Sequence, residues 1–216
     1  GTKKEKIEPH TYVKFMYGHL VEELLLFLTR MSGHTVTDEQ KKCEVEGIRG
    51  SMDCKIDGVV TDVKSASSFG FKKFKEGKIL RDDPFGYVDQ IKAYAYSEGE
   101  TQIGWLAMDK TVGHLTYLKY DLADPEFKVD MEFNGTIADR IKYLKEMVKK
   151  PEPAAVCHKP KPDGKSGNMQ LAMGCSYCQY KQHCYPKLRL FNYSYQPKYL
   201  CEVVKEPIVQ ELKLSD

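Results

Sequence analysis

Two aspartates and a lysine, Asp53, Asp62 and Lys64, flank the dipeptide Asp57-Gly58 at spacings that could do chemistry. Asp-Gly between short alternating runs is favoured in a two-residue type I′ hairpin. With Asp57 and Gly58 as the loop, Ile56 pairs with Val59, Cys54 with Thr61, Asp53 with Asp62 and Met52 with Val63. Strand alternation then puts Met52, Cys54, Ile56, Val59, Thr61 and Val63 on one largely apolar face. Asp53, Lys55, Val60, Asp62 and Lys64 share the other, expected to be exposed. Carboxylates directly opposite one another repel, so something positive belongs between them. A magnesium or manganese ion suits the place, because a hard divalent cation binds to one or two carboxylates, water and substrate phosphate. Lys64, on the same side as Asp62, could orient or help deprotonate an attacking water. The residues alone leave a plainer reading open, a solvated hairpin face whose lysines neutralise its aspartates.

A second constellation lies near the C-terminus. Cys175-x-x-Cys178 is followed after five residues by Cys184, a spacing that lets thiolates converge on one centre. Cys157, across a loop rich in Pro, Gly and Lys, is the expected fourth ligand, with Cys43 as runner-up. Tetrahedral zinc would accept four thiolates, and His158 or His183 could replace one of them. The chain is neither small nor visibly exported, so its seven cysteines point to metal or catalysis rather than disulfides. Cys54 falls on the apolar hairpin face and reads as core. Cys201 carries no signal.

These groups need elements to position them. Tyr12, Phe15, Leu20, Leu24, Leu28 and Met31 recur at three- and four-residue spacing, predicting a helix over 11–31 with Gly33 as its stop. Short alternating runs fill 44–65. Pro84 is expected to open a helix reaching Ser97. Two strands, 101–108 and 114–121, follow around a turn at 109–113, and a further helix covers 136–150. Residues 151–168 read as a loop. The order predicts a mixed α/β core over 1–150 with a cysteine-rich, metal-binding module over 151–216 packed on it. The 216 residues are 41% hydrophobic and 30% charged, with 33 basic against 31 acidic side chains for a net +2. That composition excludes disorder for the bulk. The densest apolar run, Leu24 to Leu28, is far short of a bilayer span. The charged start Gly-Thr-Lys-Lys-Glu-Lys carries no apolar stretch, so no secretory leader is expected and the cytoplasm is the expected compartment.

Gly50-Ser-Met-Asp53 followed by Asp62-Val-Lys64 resembles the core of the PD-(D/E)XK nuclease superfamily, in its RecB-like and phage exonuclease branch. Gly18-x-x-x-Glu22 on the first helix is similar to that branch's first motif, and Gln90-x-x-x-Tyr94 to its QxxxY motif. The run Asp62-Val-Lys-Ser-Ala-Ser-Ser-Phe69 leading to Asp83-Pro-Phe-Gly-Tyr-Val-Asp-Gln90 resembles phage-encoded members, as does 163–178. The resemblance covers about 11–185. Met52 stands where the superfamily's name has proline, and Asp62 where it allows glutamate.

The resemblance implies a restriction-endonuclease-like fold, a mixed central sheet flanked by helices. It implies magnesium or manganese on Glu22, Asp53, Asp62 and the carbonyl of Val63, with Lys64, Gln90 and Tyr94 completing the catalytic set. Physical roles can be stated beside it. Glu22 adjoins an apolar stripe, where an unpaired carboxylate is costly, and a metal, a nearby lysine or solvent would each satisfy it. Gln90 and Tyr94 are four apart and share a helix face, able to hold a phosphate or water, or simply half-buried. His19, beside Gly18, reads as structural. The cysteine tail resembles the iron–sulfur nucleases of CRISPR adaptation and of helicase–nuclease complexes, which implies a 4Fe-4S cluster; structural zinc is the alternative. Either would staple the tail rather than react.

Phe69, Phe71 and Phe74 alternate with Lys72, Lys73, Lys75, Lys78 and Arg81. The lysines are expected to neutralise phosphates, and the rings either stack on bases or fill the core. Together these expectations describe a metal-dependent deoxyribonuclease, most simply an exonuclease of recombination or end-processing acting on single- or double-stranded DNA. A recombination partner protein or a homo-oligomer fits that setting, in the host cytoplasm if the chain is phage-encoded. A non-catalytic nucleic-acid-binding protein on the same fold and a sequence-specific endonuclease are the alternatives.

Overall fold

The computed structural model describes residues 9–124, 127, 135–151 and 156–214. The first six residues, on which the leader expectation rests, lie outside them. The chain divides into two compact units, Gly1–Glu146 and Met147–Asp216.

The first unit is a mixed α/β layer structure. Helix α1 (Pro9–Met31) leads to β1 (Val36–Thr37), a hairpin of β2 (Lys42–Val45) and β3 (Ile48–Ser51), and a second hairpin of β4 (Cys54–Ile56) and β5 (Val59–Ala66). Then come α2 (Ser68–Lys75), α3 (Tyr87–Glu98), β6 (Gln102–Asp109), β7 (Leu115–Asp121) and α4 (Ile137–Met147). The central sheet runs β1-β4-β5-β6-β7, with β5 and β6 parallel and the other neighbours antiparallel. Asp57 and Gly58 both hold positive φ, 49° and 83°, as a type I′ turn requires. The predicted pairs Ile56–Val59 and Cys54–Thr61 are formed.

Both faces of β5 are covered, so its residues 59–63 are all buried. On one face Val21, Leu25 and Leu26 of α1 pack on Cys54, Ile56, Val63 and Leu106. On the other, Phe71 and Phe74 of α2 and Val88, Ile91 and Ala95 of α3 pack on Val60, Ile103 and Trp105. This corrects the expected exposed face of the hairpin: helices follow and precede it, and a parallel β5–β6 pair in such a layer is buried on both sides. The ladder also stops at Cys54, so Asp53 is not strand-paired with Asp62. Met52 sits in the cluster of Val60, not that of Cys54. The α1 stripe is likewise corrected: Val21, Leu25 and Leu26 are buried, while Tyr12, Phe15, Leu20, Leu24, Leu28 and Met31 are exposed.

One helix carries no periodic signal and one starts later than expected. Residues 68–75 form a helix among their lysines because Ser67 caps α2 by accepting from the amide of Gly70 at 3.3 Å and two phenylalanines anchor it. Pro84 does not open α3; Gly86 adopts φ 76° before it, and Asp83 accepts the amide of Val88 at 2.8 Å.

The second unit carries a five-stranded antiparallel sheet in the order β12-β10-β11-β9-β8. The strands are β8 (Lys161–Pro162), β9 (Met169–Gln170), β10 (Arg189–Asn192), β11 (Pro197–Glu202) and β12 (Glu211–Leu212), with the short helices α5 (Met173–Ser176) and α6 (Lys181–Cys184) between β9 and β10. Asn168 is fully buried and pins the segment after β11, accepting from the amides of Val204 and Lys205 and donating to the carbonyl of Lys205, each at 2.8 Å. Among the described residues no helix is long and apolar enough to cross a membrane.

Candidate active site

Asp62 is the most constrained charged group in the first unit. It sits mid-β5 with 1% of its surface exposed. The Lys64 ammonium donates to its Oδ1 at 2.8 Å and lies 2.7 Å from Oδ2, but no donor is aligned on Oδ2, which is left buried without a hydrogen bond. Burial pushes the Asp62 carboxyl up to about 7, against the pull of Lys64; the charges of Asp53 and Glu22 add to the rise. For Lys64, burial alone would favour the neutral amine, but the charge and hydrogen bond of Asp62 outweigh it and its pKa ends up raised. Lys64 therefore stands beside Asp62 as an ammonium. Its Nζ also lies 4.9 Å from the ring centre of Tyr87, a cation–π contact with a residue that sequence reasoning passed over.

Asp53 follows β3 just before β4, and its Oδ2 accepts from the amide of Val63 at 2.7 Å. Side chain to backbone thus replaces the ladder pair that strand alternation predicted. Glu22 projects from α1, half-buried, and its pKa is raised by burial and then by the charge of Asp53. The Gln40 amide donates to its Oε1 at 2.6 Å, while the His19 ring stands 3.9 Å from Oε2. Gln40 was also missed: it is a loop residue at φ 52°, tied to the carbonyl of Asp53 through its own amide at 2.9 Å and to Ser51. No spacing rule marks such a residue.

Gln90 and Tyr94 share one face of α3, as predicted. The Gln90 amide donates to the Tyr94 hydroxyl at 3.1 Å, and the charges of Asp62, Asp53 and Lys64 act on that hydroxyl. Burial raises the Tyr94 pKa, so the phenol stays protonated and its O–H is free to donate. Tyr94 lies against Gly50: a Cβ on Gly50 would stand 3.0 Å from the ring, which accounts for glycine in the Gly-Ser-Met-Asp segment. Gly50, Gln90 and Tyr94 line a cleft of about 200 Å³ with Cys43, Ile48 and Ile141.

Glu22, Asp53, Asp62, Lys64 and Tyr94 are thus within electrostatic reach of one another. Three carboxylates, Glu22 and Asp62 with pKa values raised by burial and by the charge of Asp53, make a donor set that suits a hard divalent cation. As placed, no three His, Cys, Asp or Glu side chains among the described residues stand close enough to hold an ion. Each is engaged elsewhere, Glu22 by Gln40, Asp53 by the amide of Val63 and Asp62 by Lys64. Lys55, expected on the same polar face, serves Glu100 at 3.0 Å and Glu98 at 3.2 Å instead.

The lysine-rich stretch divides. Phe71 and Phe74 are core, and Phe69 is exposed. Lys73 pairs with Asp82 at 2.7 Å and Lys78 with Glu76 at 2.6 Å, leaving Lys72 and Lys75 exposed.

In the second unit, Cys175 is buried, Cys178 half-buried, and Cys157 and Cys184 exposed; all are free thiols. Burial raises the Cys175 pKa, and the charges of Cys157, Cys178 and Cys184 add to it, so each acts on Cys175, although as placed no three of them stand close enough to hold an ion. The amide of Tyr180 donates to Cys178 Sγ at 3.4 Å, and the backbone of His158 favours the Cys175 thiolate. Cys43, the runner-up ligand, is instead packed in the first unit's core with Met52 and Tyr94.

Neither a family model nor a curated protein matches this sequence. Among solved structures, the chain is similar to an alkaline exonuclease from Laribacter hongkongensis, at 15% identity over 62% of this chain and 74% of that one, with a TM-score of 0.38. A likeness at that level transfers no activity.

Proposed function

We propose that the chain is a magnesium- or manganese-dependent deoxyribonuclease of the PD-(D/E)XK kind. The observation that carries the reading is Asp62, a fully buried carboxylate paired with the Lys64 ammonium and within the field of two further acids, Asp53 and Glu22. Two extra carboxylates nearby disfavour the charged form of Asp62, a cost that a purely structural ion pair has no need of. Phosphate binding alone favours cations over paired acids, which weighs against a purely binding role.

Glu22, Asp53, Asp62 and the Val63 carbonyl are the residues that would hold the ion, which when bound activates a water and offsets charge on the phosphate. The chain's own groups supply the rest. Lys64 keeps an ammonium at the site, positioned by Asp62 and by the Tyr87 ring, to orient the attacking water and to meet the growing negative charge. Tyr94, fed by the Gln90 amide, offers its hydroxyl proton to a phosphate oxygen. Lys72 and Lys75 extend the cationic surface toward flanking phosphates. The exonuclease form of the reading, with roles in recombination or end-processing, comes from the sequence resemblance.

In the second unit, Cys157, Cys175, Cys178 and Cys184 would hold a 4Fe-4S cluster, or zinc as the plainer occupant. Two backbone N–H groups aimed at the sulfurs of Cys175 and Cys178 support a thiolate site.

The test is a comparison of linear and covalently closed circular DNA, each with magnesium, with manganese and with chelator. Progressive shortening of the linear form alone, abolished by chelator, is expected. Discrete cutting of the circle would make the enzyme an endonuclease, and inertness toward both would overturn the reading.

A further inference from the structure

Gln40 joins the helix that carries Glu22 to the segment that carries Asp53. Its side-chain amide donates to Glu22 Oε1 at 2.6 Å. Its backbone amide donates to the carbonyl of Asp53 at 2.9 Å. The Ser51 hydroxyl donates to the Gln40 carbonyl at 2.9 Å, with the side-chain oxygen of Gln40 3.2 Å away. Lys41 continues the link, its carbonyl accepting the amide of Met52 at 3.0 Å. The loop is thus laced to residues 51–53, and one side chain reaches from it to α1.

Three features set the Gln40–Glu22 bond apart from ordinary loop anchoring. Gln40 holds φ 52° and Asp38, two residues earlier, φ 53°. Aspartate is enriched in that left-handed region and glutamine is not, whereas glycine sits there without steric cost. Backbone strain of this kind gathers at functional sites. Gln40 is also exposed, so water could satisfy its amide, and burial does not force the bond. Finally, the donor is neutral. Glu22 has only 15% of its side chain exposed, and a lysine or arginine would be the stronger partner for a shielded carboxylate. An amide fixes the direction of the carboxylate and leaves its charge for a cation. The bond occupies Oε1; the His19 ring, 3.9 Å from Oε2, is beyond hydrogen-bond reach.

We infer that Gln40 is a positioning residue of the metal site, holding the Glu22 carboxylate in a fixed place relative to Asp53 for a divalent cation. The inference rests on the metal-dependent reading of Glu22, Asp53 and Asp62 proposed above. Gln40 acts through Glu22, as hydrogen-bond partners behind metal ligands do, and losing such a partner typically costs ~10–100-fold in metal affinity. Without the amide, Glu22 is free to swing away from the like charge of Asp53.

The test measures manganese binding and folding separately in the full chain. Metal-free protein without DNA is titrated with manganese, and the free ion is read by its electron paramagnetic resonance signal. Gln40→Met keeps the length of the side chain and removes the amide; Gln40→Gly removes the side chain and the backbone strain together. Both are expected to bind manganese ~10–100-fold more weakly than wild type. Cleavage is expected to need more manganese by the same factor, with its rate at saturation kept. Urea unfolding in chelator, read from Trp105, is expected at an unchanged midpoint for Gln40→Gly, because relief of strain offsets the lost hydrogen bond. Asp53→Asn serves as the control on the underlying metal site. If it weakens manganese binding while both Gln40 variants bind like wild type, the inference fails and the metal site stands. If wild type binds no manganese, or Asp53→Asn binds it unchanged, the metal site and the inference fall together. A Gln40→Gly protein whose stability drops in step with its manganese affinity would make the loop a structural brace and overturn the inference.

Discussion

Replacing Asp62 with asparagine keeps the shape of the side chain and removes its charge, and the structure sets both the sign and the size of the effect. In the absence of metal, burial raises the carboxyl from its ordinary 3.8 to about 7. A group whose folded pKa lies above its unfolded one holds its proton more tightly in the native state. Its contribution to stability is complete below about pH 4 and is lost as the pH passes about 7. At ~1.4 kcal/mol per pKa unit the difference is on the order of 4 kcal/mol. The asparagine variant has no such titration. Lys64, deprived of its main partner, keeps only the weaker pull of Asp53 and Tyr87 against burial; where burial wins and depresses it, the variant gains stability as the pH rises, in the same direction. The stability of Asp62→Asn relative to wild type is therefore expected to climb by up to about 4 kcal/mol between pH 4 and pH 8. Trp105 is the single tryptophan, fully buried in the first unit, so urea unfolding followed by its fluorescence in chelator reads this unit directly. Parallel stability curves for the two proteins would refute the reasoning and would mean that Lys64 keeps Asp62 ionised throughout. Alanine is the poorer choice here, because it leaves the Lys64 ammonium beside an empty space.

Three further outcomes are expected. Gly50→Ala places a Cβ against the Tyr94 ring, 3.0 Å from its nearest atom, and should break the Gln90–Tyr94 hydrogen bond; a loss of about tenfold in kcat follows from one such bond, and an unchanged kcat would remove Tyr94 from the catalytic set. Cys175→Ser should abolish iron or zinc content and make the second unit protease-sensitive while Trp105 unfolding is unaffected; native wild type with no metal and freely titrating thiols would show that the cysteines hold nothing. Lys72→Glu combined with Lys75→Glu should lower the slope of log affinity for DNA against log salt by roughly one per lysine, whereas the ion-paired Lys73 and Lys78 should matter less, and equal effects from both pairs would contradict that division.

Much of the first unit was legible because its signals are local. Asp57-Gly58 dictates a turn by its φ angles, and the turn then fixes the pairing of Cys54 with Thr61. Burial was not legible, since alternation says which residues share a face but not whether a helix covers it. Asp62 and Val60 were expected in water and lie under α2 and α3. The same limit reversed the reading of α1, which carries two apolar stripes; only tertiary contacts say which one meets the sheet. Gln40 and Tyr87 touch site residues through loop geometry and a ring face, and neither leaves a periodic mark. In the second unit β10 and β11 lack a clean alternation of buried and exposed residues, and they belong to a sheet held partly by Asn168. That residue acts through a buried side-chain clamp across 36 positions, a relation invisible to any short window.

The most direct test of the central claim is the rate of hydrolysis of end-labelled DNA by wild type and by Asp53→Asn in one manganese titration. Asparagine can still accept the amide of Val63 through its oxygen, so the fold is kept while a metal-binding charge is lost. The predicted result is wild-type cleavage that is absent in chelator and saturates with manganese, and a variant that needs far more metal and remains slower at saturation. Superimposable titrations, or wild-type cleavage that persists in chelator, would contradict the assignment of Asp53, Asp62 and Lys64 as a metal-dependent phosphodiesterase site.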